Sequence, residues 1–429
     1  MATILKIAGS DASAQIKAAC DLVLNGATDV ADLNTFLADK TVGIYTLNIY
    51  RTIYVSGFIE KKRNHNWQGK CGVIKMLPDL TNNYIGGILP EVGDHNYTYI
   101  NDFELDGNEV NNIGADINAL GTGICYHHYD DVVTPTIEYN AANIKLKNIH
   151  SHDWIKSCIL PGSGWICRNI RAGNSRRDHI LYISGAQNVN INRLYLYGYS
   201  EGALAISGAS YFYNPTSPEN IKIKELVLNE CVTTLDSNNP NIHIRGRFQG
   251  AYDIMGLPCK NVTIDGIKVR NTVQFDGRTL FIGHAWDVDG QGGRCEDISL
   301  LNVDIDVVNF YSVMVLMRGK NLKISGVMNF KANATTVPRI YISGGGGFAE
   351  NNYDLSDCDF TVQNYGTGPR SAVLGILENN DVNGLNLSNT NIAGADVIKR
   401  SNGTASILNF NTTDLVYDKE LNPDAIEII

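Results

Sequence analysis

Asp178 and Glu201 stand 23 residues apart, and Arg176, Arg177 and His179 cluster around the first of them. Two carboxylates brought within about 5 Å repel each other, so one keeps its proton while the other stays charged. That division of labour cleaves an acetal with retention. The basic residues offer a second chemistry. Arg176, Arg177, His179 and Lys156 can neutralise a substrate carboxylate, and His179 or an arginine can then take the neighbouring proton in a β-elimination. Stepping by 23 places Arg176 beside Asp153 and Tyr199, Arg177 beside Trp154 and Ser200, His179 beside Lys156 and Gly202, and His152 beside Ser175. Trp154 and Tyr199 would add flat faces for a ring-shaped ligand. The rival reading is a solvated corner whose Asp, Arg and His side chains merely pair along a ladder.

The step of 23 comes from a repeat. Gly162, Gly185 and Gly208 each close a short apolar strand. A nine-residue pattern also recurs, with a polar starter followed by apolar second, fourth, seventh and ninth places. Asn188-Val189-Asn190-Ile191-Asn192-Arg193-Leu194-Tyr195-Leu196 is one copy; others start at Asn220, Asn261, Asp297 and Asn321, with looser ones at Tyr97, Asn143, Gly164, Asn352, Gly384 and Ile407. Successive starters are 46, 21, 24, 32, 41, 36, 24, 31, 32 and 23 residues apart.

Period-two alternation marks a strand, and the break after the fourth place marks a bend between two strands. A third strand precedes the next starter: Ile180–Ile183, Ala203–Ile206, Val313–Leu316 and Ile340–Ile342. Three short strands in a coil of roughly 22 residues predict an all-β, right-handed parallel β-helix of about 11 or more coils. The longer steps are the same coil with loops inserted. A β-propeller would need about 40 residues per blade. Asparagine suits the starter place, because it tolerates a tight bend and hydrogen-bonds along a stack of like residues.

An open coil end exposes unpaired strand edges, so a cap is expected. Asp11–Cys20 and Asp29–Leu37 read as short helices that supply it. The expected organisation is one elongated domain: residues 1–96 as cap and first coils, 97–415 as the β-helix, and 416–429 as a C-terminal tail or cap.

Composition narrows the partners. With 45 acidic against 35 basic residues the net charge is −10, which disfavours a general nucleic-acid binder. An anionic polymer would be repelled overall and would need local cations. No stretch has the roughly 18 apolar residues of a membrane span. The opening residues lack a secretory signal, which suggests a cytoplasmic product or one released by another route. The nine cysteines include no C-x-x-C pair and sit mostly in apolar runs, so they read as buried, reduced thiols.

Loops offer further candidates. Tyr211, Phe212 and Tyr213 form an aromatic run that would cover a groove, bind sugar or meet a second subunit. The loops 246–260 and 284–294 are long and rich in Gly, Tyr, Trp and Asp, as binding loops on a rigid scaffold are. Asp287 and Asp289, before Gly290, could present oxygens to Ca²⁺, although no glutamate stands at the twelfth place. His127-His128 beside Asp130-Asp131 would bind a metal only in a loop, since adjacent strand residues face opposite ways.

With these coils the chain resembles the pectate-lyase-like right-handed β-helix superfamily from about Tyr97 to Leu415. The opening Ala8-Gly9-Ser10-Asp11-Ala12-Ser13, with Asn25-Gly26-Ala27-Thr28-Asp29, is similar to the leading segment of many phage and prokaryotic β-helix proteins. The resemblance implies a polysaccharide ligand and one of several activities: lyase, glycoside hydrolase, uronan epimerase or tailspike. Asp178-His179 is similar to the Asp-Pro-His of mannuronan epimerases but lacks the proline. The Asn-Thr-Asp, paired Asp and Gly-His-Gly of polygalacturonases are absent, Gly283-His284-Ala285 coming nearest.

The expected function is therefore a tailspike-like depolymerase. Asp178 and Glu201 would be its acid–base pair, Arg176, Arg177 and His179 its helpers, and Asp153, Lys156, Trp154, Tyr199, His152, Tyr211 and Tyr213 its substrate contacts. It would need no cofactor beyond optional Ca²⁺ and would assemble as a homotrimer in a virion. A non-catalytic adhesin and a uronan C5-epimerase are the alternatives.

Overall fold

The structure is a computed structural model. It describes the chain except residues 1, 81–85, 113–120, 126–140, 177, 201, 208–216, 234–241, 246–258, 272–279, 283–294, 309–313, 334–337, 343–350, 367–371, 377–380, 401–406 and 418–429. Two compact units emerge, one built from Met1–Glu201 and one mainly from Pro215–Ile429 with Gly202–Ser210. The expected C-terminal tail lies outside the described residues apart from its first two positions.

In the first unit, β1 (Thr3–Ala8) pairs in parallel with β2 (Tyr45–Val55), and β2 with β3 (His65–Met76). β3 pairs with β4 (Tyr99–Asp106), which is followed in turn by β5 (Lys145–Trp154), β6 (Ile166–Ser175) and β7 (Leu194–Ser200). A second parallel ladder runs through Phe58–Lys61, Gly86–Pro90, Gly121–Cys125, Ile159–Leu160 and His179–Ser184. Coiling thus begins at Thr3. Two helices, α1 (Ala14–Ala18) and α2 (Asp29–Leu37), are inserted between β1 and β2. The first is shorter than the sequence suggested, because Asp11 is taken up elsewhere. Its carboxylate accepts from the Thr52 N–H at 2.9 Å and the Thr52 hydroxyl at 2.8 Å. Asp29 likewise accepts from the Tyr54 N–H at 2.8 Å.

In the second unit, β8 (Cys259–Asn271), β9 (Cys295–Val307), β10 (Lys320–Asn333) and β11 (Cys358–Tyr365) form one parallel ladder. Gly202–Ser207, Ile242–Arg245, Leu280–Ile282, Val315–Met317, Ile340–Ile342, Ala372–Ile376 and Asp396–Arg400 form another. Both units are parallel β-helices.

The starters act as the repeat required. Tyr97, Asn143, Gly164 and Asn188 in the first unit, and Asn220, Asn261, Asp297, Asn321, Asn352 and Gly384 in the second, all have left-handed backbone with φ of 53–85°. That region suits Asn and Gly because it crowds a Cβ. Only the last copy slips, Asn409 taking the bend in place of Ile407. The ladder forms as expected: the Asn321 amide donates to Asp297 at 2.8 Å and the Asn352 amide to Asn321 at 3.1 Å. At Gly164 the Asn143 side chain folds over the backbone, and a Cβ would lie 2.0 Å from its Oδ1.

Inward positions carry the apolar set. Trp67, Trp154 and Trp165 fill the first interior, and Phe330, Tyr353 and Phe360 the second, all buried. Each such side chain contributes on the order of 1.5–3 kcal/mol through burial. Seven cysteines are buried and all nine are free thiols, while Cys71 is exposed.

Candidate functional site

The expected acid–base corner is only partly brought together. Glu201, Arg177, Tyr211, Tyr213, Asp287 and Asp289 lie outside the described residues, as do Phe212, His127-His128 and Asp130-Asp131. Asp178 turns to its neighbour. It accepts from the His179 N–H at 2.7 Å and stands 2.9 Å from His179 Nδ1. Burial works against its charge, but the His179 contact outweighs it and holds the carboxyl below the usual range. Asp178 is therefore a committed carboxylate rather than a proton donor. The His179 side chain is only 9% exposed, too enclosed to meet a polymer. Arg176 and Tyr199 do converge, but on Glu109. The guanidinium lies 3.5 Å from one carboxylate oxygen, and the phenol donates to the other at 2.6 Å.

Two expectations need correction. The short third strands advance by 22, from Ile159 to Leu181, and the long strands by 21 from β5 to β6 and by 24 from β6 to β7. His152 accordingly stands opposite Gly173, and it is Trp154 that faces Ser175. Asp153 is joined to Asn174, whose amide donates to it at 2.7 Å. Trp154 offers no face to a ligand, being fully buried with its indole N–H on the Leu105 carbonyl at 3.2 Å. It sits at an inward place, where apolar bulk gains most from leaving water.

The chemistry gathers instead on outward positions one bend earlier. The left-handed residues Asp102, Asn148 and Asn169 turn β4, β5 and β6, and their side chains bond in a row: Asn148 to Asp102 at 2.6 Å and Asn169 to Asn148 at 2.8 Å. Just beyond that bend, pairing aligns Glu104, His150, Arg171 and Tyr195, and two places further Asp106, His152, Gly173 and Tyr197. Gly173 leaves the Tyr197 ring room to lie across β6, since a Cβ there would be 2.4 Å from it. Tyr197 Oη reaches His150 Nε2 at 2.8 Å, and the Arg171 guanidinium lies 4.9 Å from its ring centre and 5.5 Å from that of Tyr195. His152 is held between Asp153 on Nδ1, at 2.7 Å, and Glu104 on Nε2, at 3.2 Å. Lys75 meets Asp106 at 2.5 Å.

The electrostatics separate the two imidazoles. Burial opposes charge on His152, but Asp153 and Glu104 more than compensate, so its pKa rises. Burial, then the nearby His152 and Arg171, lowers His150 to about 4. Burial raises the Tyr197 phenol to about 12. A neutral imidazole, a neutral phenol, a guanidinium and a second imidazole held between two carboxylates thus share one face. Glu104, His150 and His152 have ligand atoms within 4.8 Å of one another, and so do Asp106, His152 and Asp153.

Glu104, Asp106, His150, Arg171, Tyr195 and Tyr197 had not been singled out from sequence, yet the signal was present. Glu104, His150, Arg171 and Tyr195 each lie seven residues after a starter: Tyr97, Asn143, Gly164 and Asn188.

The second unit has a pocket of about 330 Å³ lined by Asp304, Asp306, Asn329, Lys331, Thr361 and Gln363. Arg270 pairs with Asp304, Tyr365 donates to Asp306, and Lys331 lies over the Tyr365 ring.

No family model and no curated protein matches the chain. Among solved structures it is similar to the A-module of the Azotobacter vinelandii mannuronan C-5 epimerase AlgE4, at 12% identity over 92% of this chain and 94% of that one, with a TM-score of 0.43. It is similar to the catalytic domain of a GH87 alpha-1,3-glucanase in complex with tetrasaccharides, at 14% identity over 90% of this chain and 63% of that one, TM-score 0.40. The tailspike protein of E. coli bacteriophage HK620 in complex with a pentasaccharide gives 14% identity over 91% and 61% of the two chains, TM-score 0.37. These are likenesses to other proteins only; the parallel β-helix of this chain rests on its own strand pairing.

Proposed function

We propose that the chain is a depolymerase that cuts a uronate-bearing polysaccharide by β-elimination on the His150–Arg171–Tyr197 face of the first unit. The observation that carries this reading is the His150–Tyr197 contact of 2.8 Å with the Arg171 guanidinium beside the same ring. Elimination next to a carboxylate needs a cation on that carboxylate, a group to take the α-proton and a proton for the leaving oxygen. Arg171 neutralises the uronate. The Tyr197 oxygen takes the C5 proton as its own phenolic proton passes to His150. The C5–H electron pair becomes the C4–C5 double bond, the C4–O bond breaks, and the His150 imidazolium protonates the departing oxygen. Both residues end in their starting forms.

Charge supports the ligand class. Lys147 and Arg168 stand exposed opposite each other just before the bend, giving an acidic chain a local basic stretch. Hydrolysis is less well served, because Asp106 is tied to Lys75, Asp153 to His152 and Asn174, and Glu104 to His152.

Incubating the protein with a panel of uronate polymers tests the reading. Rising ultraviolet absorbance from unsaturated chain ends is expected, and it should vanish in His150→Ala. New reducing ends without that absorbance would identify a hydrolase, and an altered uronate ratio without cleavage an epimerase. No change on any polymer would favour an adhesin.

A further inference from the structure

We propose that Glu104, His150 and His152 form a binding site for a divalent transition-metal ion of the zinc class. His150 and His152 alternate on β5, so both rings leave the same face, and their centres lie 4.5 Å apart. With metal–ligand bonds of about 2.0–2.1 Å, tetrahedral ligand atoms stand roughly 3.4 Å from one another. His152 Nε2 and Glu104 Oε1 already stand 3.2 Å apart. The whole set falls within 4.8 Å, so small side-chain rotations close it around an ion.

A second, independent observation is that each imidazole is already anchored through one nitrogen. Metal-binding histidines characteristically fix the non-ligating nitrogen on a carboxylate or other polar partner, which sets ring orientation. Here His152 Nδ1 rests on Asp153, itself held by the Asn174 amide at 2.7 Å, which leaves Nε2 turned to Glu104. In the tautomer that donates its Nε2 proton to the Tyr197 oxygen, the opposite of the one that accepts the phenolic proton in the elimination, His150 leaves Nδ1 for an ion.

The overlapping set of Asp106, His152 and Asp153 is less suited. The Lys75 ammonium already occupies Asp106 at 2.5 Å, and Asp153 lies on the anchored side of His152. Two imidazoles with one carboxylate favour zinc-class ions over Ca²⁺ or Mg²⁺, which take oxygen ligands. The site thus differs in chemistry from the oxygen-only calcium loop expected at Asp287 and Asp289.

The ligand set shares His150 and His152 with the proposed elimination, so an ion held there competes with it, and the test uses no polysaccharide. Full-length protein, stripped with a chelator, is titrated with Co²⁺. Intense tetrahedral ligand-field absorption should appear, saturate at a single equivalent and be displaced by Zn²⁺. His152→Gln and Glu104→Gln should abolish it, and Asp153→Asn should weaken Co²⁺ binding by about 10–100-fold. Cys71→Ser, which removes the exposed thiol, should leave the spectrum unchanged. Thermal melting confirms that each variant is folded. An aquo-ion spectrum in the parent protein would overturn the proposal, as would a full signal in folded His152→Gln. Loss of signal in Cys71→Ser, or in Asp106→Asn but not Glu104→Gln, would overturn the assignment of ligands.

Discussion

In the first unit the outward rows past the bend read Glu104–His150–Arg171–Tyr195 and Asp106–His152–Gly173–Tyr197. In the second unit the rows on β8 to β11 read Lys268–Asp304–Asn329–Thr361 and Arg270–Asp306–Lys331–Gln363. The backbone logic is shared: a left-handed Asn or Asp, a bend, then alternating strand. The side chains differ. Histidines flanked by carboxylates are partly covered in one case, the His152 side chain being only 14% exposed, whereas Lys331, Arg270 and Asp304 in the other remain 37%, 40% and 33% exposed. Coils of one kind therefore host imidazoles that water reaches little, beside an exposed Glu104, and ion pairs that it reaches more fully. Covered imidazoles suit proton transfer, while exposed ion pairs are worth little to stability.

The contrast is open to several tests. The largest expected effect is on cleavage: His150→Ala or Tyr197→Phe should lower the elimination rate by about 10²–10⁴-fold, the usual worth of a proton-transferring group. Lys331→Ala should leave that rate within about twofold; a large loss there would move the chemistry to the second unit. Gly173→Ala should come next. Its Cβ would push Tyr197 away from His150, and displacement by about 1 Å costs on the order of 10²-fold with the protein still folded.

Stability should follow burial. Lys61 is fully buried, with its ammonium 3.2 Å from His95 Nδ1 and 2.8 Å from Thr98 Oγ1. Burial lowers its pKa from 10.5 to about 7. Between those values the unfolded chain binds the extra proton, so this group lowers stability progressively as pH falls from 10.5 to 7, and by a constant amount below 7. Lys61→Met should raise the melting temperature relative to the parent more at pH 7 than at pH 10, by an amount equivalent to a few kcal/mol. An equal gain at both pH values would show that the burial penalty is absent.

Asp178 has the opposite sign. Its carboxyl is held below the usual range, so its stabilising contribution is present above the ordinary carboxylate pKa and is lost as pH falls through the folded value. Asp178→Asn should cost about 1–2 kcal/mol at neutral pH, little in strong acid, and leave cleavage in place. Abolished cleavage in a folded variant would return the chemistry to the Asp178–Glu201 corner. The smallest effect belongs to Arg270→Ala, which removes a screened pair and should change stability by no more than about 1 kcal/mol.

The fold was legible because it is written many times. Asparagine or glycine at Asn143, Gly164, Asn188, Asn261 and Asn321 marks a bend whose backbone few other residues accept, and apolar alternation on either side sets which side chains turn inward. The starter spacings of 46, 21 and 24 also return as strand registers, Tyr99 opposite Lys145, Lys145 opposite Ile166 and Ile166 opposite Asn190. The site was legible only to the extent that the right spacing was applied. Stepping by 23 joined His152 to Ser175, because successive coils take up 21, 22 or 24 residues according to strand and connecting turn.

What the sequence determined by itself was therefore the coil: strand, bend and inward face are local properties, repeated until chance is excluded. Which side chains meet was decided by tertiary structure, since a slip of one or two residues in register exchanges one set of vertical neighbours for another. Whether Trp154 shows a face or fills a core, and whether His150 and His152 differ in proton affinity, depends on burial and on partners that include strands more than forty residues away. Those are energies of packing and desolvation, and they exist only once the coils are stacked.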